Sequence, residues 1–252
     1  MKLNLLLIAG VFLSSCSPGI VNKYYDPALL LTDISYQAKP MSIDSSKSAI
    51  YVSGGVNQRE MQSESNSYDM INMLQFDVNR AHTFNYINAS YGFFAMGGYF
   101  KNGLINNGEP HVFDKKNFSA IGLRGSLNTF YTKNNVDYRL LGIELSYSQE
   151  FGNYSKFRKS LQNQQYYYSI DNTKLFTAGV TTEMIVHSRR KEANQLGTRL
   201  FIGKTFNKLT YKGTFEKPDL INVNIAIFGQ LDKFHAILEG GTAAQLRLGY
   251  RL

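Results

Sequence analysis

Period-two alternation of apolar and polar residues constrains this chain most, because it dictates strands and gives each strand one apolar face. The last segment shows it best: Leu246, Leu248, Tyr250 and Leu252 share one face, and Gln245, Arg247, Gly249 and Arg251 the other. The split recurs with Ile121, Leu123 and Leu127 against Gly122, Arg124 and Ser126, and with Ile143, Leu145 and Tyr147 against Gly142, Glu144 and Ser146. Val180, Thr182, Met184 and Val186 oppose Gly179, Thr181 and Glu183 in the same way. With 17 Tyr, 17 Phe and 21 Gly beside 5 Pro, the composition suits strands.

Ten candidate strands fall near 48–57, 70–79, 83–101, 117–132, 136–151, 173–187, 195–206, 219–230, 233–239 and 243–252. Eight is the alternative count. No linker divides them, so 48–252 reads as one all-β domain, an up-and-down antiparallel barrel. Upstream, Pro18, Pro27 and Pro40 break periodicity, and 16–47 reads as an irregular tether. Long connections (58–69, 102–116, 152–172 and 207–218) alternate with short ones, and only the last hairpin departs from the rule. Transmembrane barrels show this asymmetry, with short periplasmic turns and longer outer loops.

Charge on the polar face indicates which side faces in. Asp77, Arg124, Glu144, Glu183, Arg199, Arg247 and Arg251 fall there by parity, with Gly and Ser between them. Mixed signs among small residues fit a lumen filled by an ion-pair network, with Arg124 expected beside Glu144 and Glu183 beside Arg199. Tyr99, Tyr131, Tyr138, Tyr147 and Phe206 near strand ends are candidates for the aromatic girdles of a membrane barrel.

The N-terminus bears on compartment. Lys2 precedes an apolar run from Leu3 to Leu13, too short to span a bilayer, and Leu13-Ser14-Ser15-Cys16 follows. Cys16 is the one cysteine, so no intramolecular disulfide can form. This ending resembles the lipobox of bacterial lipoproteins. The resemblance implies cleavage of a 1–15 signal peptide and acyl chains on Cys16, and Ser17, where inner-membrane retention would place Asp, implies delivery to the outer membrane. Taken with the strand pattern and the terminal strand, the chain resembles a lipid-anchored outer-membrane β-barrel protein of Gram-negative bacteria. Such barrels end in an aromatic residue, whereas this chain ends in Leu252 with Tyr250 two positions earlier.

Little in the sequence points to catalysis. His82, His111, His187 and His235 are scattered, with no HExxH or GxSxG, so neither metal, cofactor nor catalytic residue is expected. Glu109, His111 and Asp114 form the best local cluster and read as a solvated loop. Basic Lys156, Arg158 and Lys159 followed by Tyr166, Tyr167 and Tyr168 make a candidate surface contact for anionic sugars or a protein. The formal charge of +8 suits outer-membrane lipid headgroups, and nucleic acid is not an expected partner in that compartment. The expected role is a non-enzymatic surface or accessory component of a membrane complex, with protein partners. A lipid-tethered soluble, lipocalin-like barrel binding a lipophilic ligand is the alternative, and a barrel enzyme the third reading.

Overall fold

The computed structural model describes residues 23–30, 32–40, 47–60, 69–106, 109–161, 167–188, 194–206 and 221–252. Ten of its strands close into one antiparallel barrel: β2 (Ser48–Glu60), β3 (Met70–Thr83), β4 (Ile87–Asn106), β5 (Glu109–Lys133), β6 (Val136–Gly152), β8 (Lys174–His187), β9 (Gln195–Thr205), β10 (Ile221–Leu231), β11 (Phe234–Gly240) and β12 (Ala244–Arg251). Each pairs with its sequence neighbour, and β12 pairs with β2 to shut the seam, with Tyr250 opposite Val52. Three small elements lie outside this wall. Strand β1 (Lys23–Tyr25) runs parallel to β7 (Tyr167–Ser169), and helix α1 (Asn153–Leu161) follows β6 directly.

The alternation does what its period requires. Leu123 is 61% exposed on the outside, whereas its neighbour Arg124 is 6% exposed on the inside. Along β6 the outward residues Leu141, Ile143, Leu145, Tyr147 and Phe151 are all exposed, interrupted only by half-buried Gln149. That is the length a tilted membrane strand needs, about 9–11 residues. An apolar exterior around a polar bore is the arrangement of a barrel in lipid and the inverse of a soluble barrel with a greasy cavity.

Short turns mark one end. Strands β5 and β6 join through Asn134, and β10 and β11 through Asp232, both in left-handed backbone that Asn and Asp tolerate. At this end Tyr131 stacks on Tyr138 with ring centres 5.0 Å apart, and Phe234 meets Tyr250 edge-on at 5.1 Å. Tyr99, the exposed Tyr147, and Phe206 against Phe176 at 6.2 Å lie towards the opposite, long-loop end.

Two expectations about the loops change. The segment 102–116 is largely strand: Gly103–Asn106 of β4 stay paired with Glu109–Val112 of β5, past a register shift at Asn102. A hairpin that extends beyond the strands flanking it has no lipid face to show, so no apolar alternation marks it in the sequence. The segment after β6 is also built, carrying α1 and β7.

The described part of the segment expected to tether the domain runs inside it. Tyr25, Ala28, Leu29 and Leu30 are buried, and so is every residue from Thr32 to Lys39. This plug enters beside the long-loop end, where the Tyr25 hydroxyl accepts from Asn102 at 3.2 Å. It leaves at the short-turn end, where the Pro40 carbonyl accepts from Thr83 at 2.9 Å.

Candidate functional site

The lumen is the site, and its centre is a chain of alternating charges around the wall. Arg124 on β5 reaches Asp77 on β3 at 2.6 Å, and Asp77 meets Arg247 on β12 at 3.4 Å. Arg247 holds Glu239 on β11 at 2.8 Å, and Glu239 lies 3.5 Å from Arg199 on β9. Arg199 then makes a forked contact with Glu144 on β6, its Nε 3.1 Å from the carboxylate. Three arginines alternate with three acids, so each charge taken from water meets the opposite sign, which burial of ions demands.

The circuit grips the plug by its main chain. Arg124 donates to the Asp33 carbonyl at 2.5 Å and Arg247 to the Tyr36 carbonyl at 2.6 Å, while the Tyr36 N–H donates to Glu239 at 2.8 Å. Backbone groups inside a barrel have no strand partner and need such donors and acceptors. The wall supplies more of them above and below: Arg59 to the Leu30 carbonyl at 2.5 Å, the Ala28 N–H to Glu150 at 2.6 Å, and Asn79 to the Ala38 carbonyl at 2.9 Å.

Apolar packing closes both ends of the plug. Towards the long loops, Tyr25 sits edge-on to Phe157 at 5.3 Å, and Phe100 stacks on Tyr154 at 4.7 Å. Burial pushes the Tyr154 hydroxyl well above the usual phenol range, so it stays protonated and donates to the Asp26 carbonyl at 2.9 Å. Towards the short turns, Tyr36 stacks on Phe228 with ring centres 3.9 Å apart. Below it Glu183 takes Lys39 of the plug at 2.5 Å and Arg139 of the wall at 2.8 Å.

Of the residues predicted to line the lumen, Asp77, Arg124, Glu144, Glu183, Arg199 and Arg247 are all buried there. Arg251 ends β12 half-buried, beyond the circuit. The partners differ from those expected. Arg124 takes Asp77 instead of Glu144, because the register sets Arg124 opposite Ser146 and its side chain reaches over β4. Glu183 and Arg199 are directly opposite by register, yet Glu183 turns to Lys39 and Arg139, and Arg199 to Glu144 and Glu239.

Several lumen residues escaped the parity argument. Arg139 did so because β6 bulges between Arg139 and Gly142, which places Leu140 and Leu141 both outside and shifts the phase. Lys39, Asp33 and Asp26 belong to the supposed tether, and Arg59, Glu150 and Glu239 lie near strand ends.

The candidate surface contact does not hold together as such. Arg158 is fully buried, paired with Glu150 at 2.6 Å and donating to the Ile170 carbonyl at 2.9 Å, so it closes the lumen. Lys156 and Lys159 are exposed on α1, Tyr167 and Tyr168 lie on β7, and Tyr166 falls outside the described residues. Cys16 falls outside them too. Among the described residues no group of three or more His, Cys, Asp or Glu is placed to hold a metal ion.

No family model matches the sequence, and no curated protein is similar to it. Among solved structures it is similar to an outer membrane channel from Pseudomonas putida F1, at 9% identity over 86% of this chain and 100% of that one, with a TM-score of 0.38. It is also similar to the translocator domain of the autotransporter NalP from Neisseria meningitidis, at 9% identity, 81% and 87% coverage and a TM-score of 0.40. The outer membrane protein OprG from Pseudomonas aeruginosa shows 8% identity, 81% and 95% coverage and a TM-score of 0.35.

Proposed function

We propose that this chain is a lipid-anchored outer-membrane barrel kept closed by its own N-terminal segment, serving as a non-enzymatic surface component of a membrane complex. The observation that carries this reading is the burial of 32–39 along the bore, with the wall's charges committed to one another and to the plug backbone. The three arginines and three acids of the circuit are paired with one another away from solvent, so none of them is open to a substrate, which supports a role without catalysis.

The path of the plug also bears on the lipid. Lys23 belongs to β1 at the long-loop end, paired there with β7. Lys23 stands seven positions after Cys16, a reach of at most ~25 Å even fully extended. A hydrocarbon core of ~30 Å exceeds that reach. Acyl chains on Cys16 therefore belong to the leaflet on the long-loop side, which the turn-length rule makes the cell surface.

Two measurements test the reading. In planar bilayers the full-length protein should show no steady ion conductance, and a stable open-channel current from the intact chain would overturn the closed-barrel assignment. An epitope inserted after Pro18 should be bound by antibody on intact cells. Binding only after the outer membrane is permeabilised would overturn the surface anchor.

A further inference from the structure

A groove of about 730 Å³ indents the outer wall across β11, β12, β2, β3 and β4, towards the long-loop end. One transverse row forms its apolar bed: the register sets Leu238 beside Leu246, Leu246 beside Val56, Val56 beside Leu74, and Leu74 beside Gly97. Gly97 makes the hollow, since a Cβ built there would meet no atom within 4 Å. The next row towards the loops holds Tyr99, which also lines the groove.

One row further, Lys101 of β4 lies directly opposite Lys115 of β5. Both ammonium groups gather on Tyr99, 5.2 Å and 3.9 Å from its ring centre. Like charges directly opposite each other destabilise a sheet unless an anion lies between them. Neighbouring Lys116 has Asp114 at 2.5 Å, whereas among the described residues neither Lys101 nor Lys115 has a carboxylate partner.

We propose that this face binds one anionic, phosphate-bearing lipid, with the phosphate held by Lys101 and Lys115 and an acyl chain laid in the groove over Gly97. The two features are in register for one amphiphile. Lys101 and Gly97 lie four residues apart on one strand, about 13 Å, with the girdle residue Tyr99 between them. A free anion would use only the lysines, and an uncharged lipid only the groove. The site rests on the membrane placement of the wall and is independent of the plug.

Native mass spectrometry of the full-length protein in detergent, titrated with bis-phosphorylated lipid A or with phosphatidylcholine, tests this. Lipid A should be retained at one per barrel and phosphatidylcholine much less. In K101Q/K115Q, affinity for lipid A should fall about 30-fold, taking about 1 kcal/mol per lysine at the membrane surface. Gly97→Leu, whose Cβ meets no atom within 4 Å and whose side chain occupies the hollow, should abolish retention while the heat-dependent gel shift shows the barrel still folded. Equal retention of the two lipids would overturn the proposal. So would unchanged lipid A binding in either variant, including the case in which Gly97→Leu instead alters self-association.

Discussion

Glu183 is shared between wall and plug, so it reports how firmly the N-terminal segment is seated. Its two oxygens take Lys39 at 2.5 Å and Arg139 at 2.8 Å, with all three side chains at most 1% exposed. Glu183→Gln strands two buried cations at once, and breaking a buried pair by removing one partner costs about 3–5 kcal/mol. Lys39→Met is milder, because it leaves Glu183 with Arg139. The lost charge-assisted bond, worth about 1.5–3 kcal/mol, is partly offset by removing a buried ammonium. We predict about 1–2 kcal/mol for that variant. In the double variant only Arg139 is stranded, so its cost should undercut the sum of the single costs by about 1–3 kcal/mol. Urea titration in detergent micelles, followed by the gel shift that separates folded from unfolded barrel, measures all four proteins. Additivity within about 0.5 kcal/mol would refute the contact and, with it, the seating of the plug.

Other perturbations test the wall and the anchor. Leu123→Arg places a charge near the middle of the outward face and should destabilise the barrel by about 2–4 kcal/mol, measured by the same titration, whereas Asn117→Arg near the long-loop end should cost less than about 1 kcal/mol. Equal costs would refute the assigned membrane depth. Cys16→Ala should abolish incorporation of a clickable fatty acid yet leave the protein in the membrane fraction after carbonate washing, because the wall holds itself in lipid. Release into the soluble fraction would make the acyl chains the sole attachment.

The barrel was legible because each strand must show lipid one face and the lumen the other, a contrast that survives even where the inward side chains are small, as at Gly122 and Ser126. The ion pairs were legible only as a set of residues. Side chains that cross a lumen are not bound to the strand next door, so Arg124 passes over β4 to reach Asp77. The bulge in β6 inverted parity before Arg139, and a one-residue slip of this kind exchanges inside for outside. The plug was the least visible part. It is held through its backbone at Leu30, Asp33, Tyr36 and Ala38, so its side chains need no period, and Pro27 and Pro40 made it look like a linker.

The plug makes the order of assembly a topological matter. The seam between β12 and β2 joins the two extremes of the barrel sequence, so it is the longest loop closure in the fold and the contact that rewards the chain last. Before it forms, the sheet is open and the N-terminal segment can be laid against the arginines and acids sideways. Once it forms, the same segment could enter only end-on, past the packed rings of Phe100, Tyr154 and Phe157. A sheet that wraps round its own leading segment encloses it as a bead encloses a thread, and a segment made before the strands becomes the template on which the last strand locks.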